Sequence, residues 1–168
     1  MYKRQVVTAF LPILLAGYWN DGAESVVSTF RLGWANASAS LVVALLAPVL
    51  GAIADGKGGR KRMLAMFALL GVTMTSALFW VAEGQWLVAA VLYAFAYIGF
   101  AGGNSFYDSL LSNVADESEF DRVSAYGFAL GYLGGALLFT VNVLMVMNPG
   151  WFELAGSDEA MRLSLIHI

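Results

Sequence analysis

From Ala35 to Arg62 the chain reads ANASASLVVALLAPVLGAIADGKGGRKR. Its first twenty residues, Ala35 to Ala54, carry no charge and are mostly apolar. That is the length a helix needs to cross a hydrocarbon core about 30 Å thick. Inside lipid the backbone must satisfy its own polar groups, so the stretch predicts a transmembrane helix. The next eight residues hold Asp55, three glycines and the cations Lys57, Arg60, Lys61 and Arg62. Small residues permit a tight turn between adjacent helices, and clustered Lys and Arg mark the cytoplasmic side of a membrane.

Working outward, four more apolar stretches appear: Val6–Trp19, Met63–Ala82, Trp86–Tyr107 and Val123–Met147. None contains Lys or Arg, and the last, of 25 residues, can span with some tilt. Pro48 predicts a kink in the second span. The composition agrees. Of 168 residues 60% are hydrophobic and 12% charged, and the mean hydropathy is +0.71. A soluble domain carries about 25% charged residues. A soluble enzyme and a disordered chain are therefore both excluded. The fold class read from the sequence is an all-α membrane protein of about five transmembrane helices. A net charge of −3, scattered along the chain, points to no nucleic-acid partner. Without cysteine there is no disulfide framework and no thiolate metal site.

Orientation follows from the basic residues. With the 55–62 loop inside, the inner segments hold Lys57, Arg60, Lys61, Arg62 and Arg122, and the outer ones hold Arg31 and Arg162. Trp19, Trp34, Trp80, Trp86 and Trp151 all fall at outer ends, where an amphipathic indole sits well.

The two termini read as foreign to this pattern. Met1-Tyr2-Lys3-Arg4-Gln5 back-translates to GTG TAT AAG AGA CAG, with GTG as start codon. The reverse complement encodes Leu-Ser-Leu-Ile-His, the sequence of Leu163 to His167. That DNA resembles the transposon-end adapter used to fragment libraries for sequencing. The expectation is that residues 1–5 and 163–168 are adapter-derived and that 6–162 is an internal piece of a longer gene. On this reading the first helix is clipped and His167, the only histidine, has no function.

Two motifs carry a more specific signal. The first is Gly51-Ala-Ile-Ala-Asp55-Gly-Lys-Gly58-Gly-Arg60-Lys61. From the residues alone it is a positive-inside loop with a turn aspartate, or a site where Asp55 caps a helix or meets a guanidinium. The second is Tyr126-Gly127-Phe-Ala-Leu-Gly131-Tyr132-Leu-Gly134-Gly135. Gly127, Gly131 and Gly135 fall on one helix stripe, which lets another helix approach closely, for static packing or for a moving face. The first motif resembles the signature loop between the second and third helices of the major facilitator superfamily. Arg60 and Lys61 share the place of its arginine, because Gly59 shifts the spacing. With the second motif and Phe106-Tyr107-Asp108, the chain resembles the vacuole-effluxer-like branch, which includes autophagy-related vacuolar amino-acid effluxers. Tyr132 stands where the superfamily's antiporter motif has proline, so antiport is not inferred.

The resemblance implies part of a secondary active transporter with two six-helix halves and alternating access. This chain would supply the first five helices of the N-terminal half and the inner gate loop, the C-terminal half being its missing partner. It further implies export of a small polar solute, possible substrates including amino acids, across a bacterial inner membrane. An alternative of another class is a small non-transport membrane protein, an assembly factor or receptor subunit, docking through the glycine stripe.

Polar groups in or near spans are the remaining candidates. Asn104, Tyr107 and Asp108 lie at the inner end of the fourth, and Thr140 and Asn142 in the fifth. Asn104 and Asn142 are the cavity-lining candidates, with an interhelical hydrogen bond as the alternative for Asn142. The acids Asp116, Glu117, Glu119 and Asp121 suit a helix N-terminus, and Ser118 with Asp121 resembles a capping box. Glu153–Arg162 reads as an outer loop leading to a further helix. No phosphate-binding glycine loop, His/Glu metal motif or nucleophile–base pair is present. The reading therefore assigns no catalytic residue, no metal and no cofactor.

Overall fold

A computed structural model describes residues 11–20, 24–55, 59–110 and 115–166. Among them every regular element is helical. A short helical segment, 11–19, is α1, whose last turn Leu15–Trp19 is a π-helix. Then follow α2 Ser25–Asp55, α3 Arg60–Ala77, α4 Trp86–Ser109, α5 Phe120–Met147 and α6 Ser157–Ile166. Four helical stretches are long and apolar enough to cross a membrane: Val26–Ile53, Arg60–Trp80, Trp86–Ser109 and Glu117–Met147. The protein is an all-α membrane protein. Most of the spans' large side chains, Leu41, Leu45, Leu69, Leu130 and Leu137 among them, are exposed. An apolar surface of that extent suits a hydrocarbon surrounding and not water. The start of the first sequence-read span, residues 6–10, lies outside the described residues.

The second span begins earlier than its apolar run. α2 starts at Ser25, not near Ala35, and its 31 residues reach about 46 Å. A bilayer core of about 30 Å leaves its first turns, with Arg31, outside the hydrocarbon. Pro48 lies inside α2 without interrupting it. Membrane helices tolerate such a proline because neighbouring groups compensate the missing hydrogen bond. α5 starts at Phe120 after a 3-10 turn, Glu117–Glu119, and no side chain caps its N-terminus. The Ser118–Asp121 capping box is therefore not formed. The 3-10 turn puts Glu119 at the cap position, and its carboxylate pairs instead with Arg122 at 2.7 Å.

α3 and α4 form the tightest pair. A Cβ on Gly99 would stand 2.5 Å from the Gly71 nitrogen and 2.8 Å from both the Gly71 Cα and the Phe67 carbonyl. Backbone meets backbone there, and only glycine fits. The outer core lies beside this crossing: Leu11, Leu14, Leu15, Trp19, Leu78, Val81, Ala89 and Met161. A smaller inner cluster joins Leu50 to Phe106, flanked by Met63, Leu64 and Phe67. After α5 the chain turns through Pro149–Phe152 and Glu153, whose φ of 58° is left-handed. The stretch read as an outer loop already contains the start of α6. The Ala155 amide donates to the Glu159 carboxylate at 2.7 Å and closes its first turn.

Candidate functional site

The end of the bundle read above as inner is organised where α2 gives way to α3. Leu50, one residue before Gly51, is buried against Phe106, and the Phe67 and Phe106 rings stack at 5.8 Å. Gly51 itself is exposed, with open space where a Cβ would stand. The structure separates the two cations that shared one role in the sequence. Arg60 donates from Nη1 to the Ser109 carbonyl at 3.1 Å, whereas Lys61 is exposed. Ser109 is the last residue of α4, where carbonyls lack intrahelical partners and the helix dipole is negative. Arg60 thus ties the start of α3 to the end of α4. Asp55 ends α2, but its side chain, like Gly58, lies outside the described residues.

Asn104, Tyr107 and Asp108 are exposed near the inner end of α4. A Cβ on Gly127 would stand 3.3 Å from the Tyr107 hydroxyl, so the first glycine of the α5 stripe faces α4. Gly131 is exposed and Gly135 half-buried. The close glycine packing uses Gly71 and Gly99, described above, and Gly102, whose Cβ would stand 2.5 Å from the Phe67 ring; the sequence reading did not single them out. Their signal was available: Gly99, Gly102 and Gly103 recur at i, i+3 and i+4. Asn142 is completely buried, and neither amide atom has a partner among the described residues.

The opposite end, read above as outer, is held by two arginines that the sequence reading used only as topological charges. Arg162 on α6 lies over the rings of Tyr18 (4.9 Å) and Phe79 (5.1 Å). It donates to the Tyr18 hydroxyl at 3.0 Å and through Nε to the Phe79 carbonyl at 3.1 Å. Arg31 on α2 lies 4.0 Å over the Trp86 ring and donates to the Asn20 side chain. Trp19 departs from the interfacial belt. It is fully buried, its Nε1 donating to the Val81 carbonyl at 3.4 Å. An indole whose N–H finds a partner can leave the interface for the core. Trp34, Trp80 and Trp151 are exposed, as an interfacial position requires.

Residues 25–119, from the start of α2 to the turn before α5, match the family described as "Vacuole effluxer Atg22 like". The chain belongs to this family. The vacuole-effluxer-like match takes in the inner turn, the α3–α4 crossing and Arg60 with its Ser109 acceptor. The chain is also similar to the "Uncharacterized MFS-type transporter YxiO" of Bacillus subtilis (strain 168), 36% identical over 150 residues. That alignment covers 87% of this chain and 34% of the relative, so the chain spans about a third of that protein's length. No solved structure matches.

Proposed function

We propose that this chain is part of the N-terminal half of a secondary active transporter of a bacterial inner membrane. The observation that carries the reading is the inner turn. It has the superfamily's Gly51–Asp55 spacing, and the structure adds a guanidinium anchored on the neighbouring helix end. A transporter closed on its inner side needs a rigid lip there. Arg60 on Ser109, with the Leu50–Phe106 cluster beneath it, supplies one. Asp55 ends α2, and on this reading it meets the half that this chain lacks. Alternating access rocks the halves about a central solute site.

The family match and the relative's description as an MFS-type transporter support this reading. The solute is small and polar, amino acids being the class we favour, and it moves outward. No cofactor and no nucleic acid take part; the partners are the bilayer, the solute and the C-terminal half. The test is Asp55→Asn in the full-length gene. Flux of amino acids from loaded vesicles should be lost while membrane insertion is retained. Unchanged flux refutes the gate, and a protein that carries no solute yet captures a membrane partner through α5 favours the docking alternative.

A further inference from the structure

Asn36 lies inside the span of α2, and its Oδ1 accepts a hydrogen bond from the Tyr93 hydroxyl of α4 at 2.6 Å. The pair sits in the outer part of the span: Asn36 is two residues, about 3 Å, beyond the outer-end Trp34 along α2. Tyr93 is seven residues, about 10 Å, beyond the outer-end Trp86 along α4. The Tyr93 ring lines an apolar crevice with Leu15, Trp19, Leu32 and Ala89, and that packing fixes where its hydroxyl can go. With the oxygen so engaged, the Asn36 NH2 group is turned away from Tyr93. It finds no acceptor among the described residues. Unlike Asn142, which is sealed, Asn36 is only half-buried. An amide donor open to hydrocarbon forfeits its hydrogen bonds, so such groups in membrane helices face protein, water or solute.

We infer that Asn36 lines a water-filled solute pathway and donates its free N–H to an acceptor oxygen of the passing solute, with Tyr93 holding the amide in that orientation. This rests on the transporter reading and adds to it a residue that neither motif contains. Ser40, exposed one turn further along α2, shares the same side of the helix. Leu41, also exposed, is turned about 140° from Asn36 and faces lipid on this assignment.

This chain is free of cysteine; with any cysteine elsewhere in the full-length protein replaced by serine, accessibility can be read by single substitutions. The full-length protein in its membrane would carry Asn36→Cys, Ser40→Cys, Leu41→Cys or, as an aqueous control, Glu83→Cys. A membrane-impermeant cationic methanethiosulfonate reagent is the probe. Thiolates form only where water reaches. The Asn36 and Ser40 variants should therefore react within about tenfold of the Glu83 variant, and Leu41→Cys at least about a hundredfold slower. Ser40→Cys is nearly isosteric and leaves the Asn36–Tyr93 bond intact, which guards against a folding defect. If the first two react as slowly as Leu41→Cys, the inference is overturned. Reaction at Ser40→Cys alone overturns it too, because the amide is then sealed. Equal reaction at all three also overturns it, since it reports a helix wet on every side. The assay needs no transported solute, so a negative result leaves the Asp55 flux test standing.

Discussion

Substituting Gly99 by alanine tests the helix crossing on which the bundle is built. The new methyl would meet backbone on the far side at 2.5 and 2.8 Å, where nothing can rotate away. Carbon contacts are optimal at about 3.5–4.0 Å, so α3 and α4 must separate locally by about 1 Å. A gap of that size forfeits about a quarter to a half of each dispersion contact along the crossing. Overpacking of this kind costs about 1–3 kcal/mol, and the higher helix propensity of alanine returns up to about 1 kcal/mol. The expected net effect is a destabilisation of about 1–2 kcal/mol. The facing Gly71 behaves differently. Its own Cβ would have its nearest neighbour at 3.6 Å, an ordinary contact, so Gly71→Ala should be neutral or slightly stabilising. Gly102→Ala falls between, because its obstacle at 2.5 Å is the Phe67 ring, which can turn at some cost. Gly134, with open space around it, should gain about 0.5–1 kcal/mol as alanine. Reversible unfolding in mixed micelles, followed by far-ultraviolet circular dichroism, gives the ranking. A Gly99→Ala protein as stable as the Gly134→Ala protein would falsify the crossing geometry.

Three further outcomes follow from single sites. Asn142→Leu, which keeps the branched shape and the number of side-chain heavy atoms, should stabilise the protein by about 1–3 kcal/mol, because it removes two buried polar atoms that lack partners among the described residues; a lower unfolding midpoint shows that the amide is satisfied. Arg162→Ala should raise amide hydrogen exchange across Ser157–Ile166, since α6 loses its two ring contacts and its bonds to Tyr18 and Phe79. Arg162→Lys should recover little, because an ammonium has no planar fork to span both acceptors; full recovery would show that charge alone suffices. Arg60→Ala should fray the last turn of α4 and cost about 1 kcal/mol or more, as a charged donor leaves the Ser109 carbonyl; Lys61→Ala, at an exposed site, should be silent in the same unfolding assay.

The membrane class and four of the spans were legible in the order of residues. Bilayer thickness and the ban on unsatisfied backbone are constraints that each segment meets by itself. Ala35–Ala54 needs no neighbour to be read as a helix in lipid. The family was legible too, because the Gly51–Asp55 spacing and its basic cluster are local. Pairwise geometry was not. The α5 glycines had the more regular spacing, yet the tightest approach is Gly99 on Gly71. A stripe permits close contact, and only the partner's position decides whether contact is made. Arg60 and Lys61 are adjacent and chemically alike, and the end of α4 distinguishes them. Asn36 is one polar residue in a run of small ones until Tyr93, 57 positions away, takes its carbonyl. Asn142 stands out in sequence as an amide in an apolar span, but only packing shows that it is sealed and without a partner among the described residues. Hydrophobicity and charge act residue by residue and survive in one dimension. Hydrogen bonds and steric contact depend on two residues at once, and they exist only after the helices have packed.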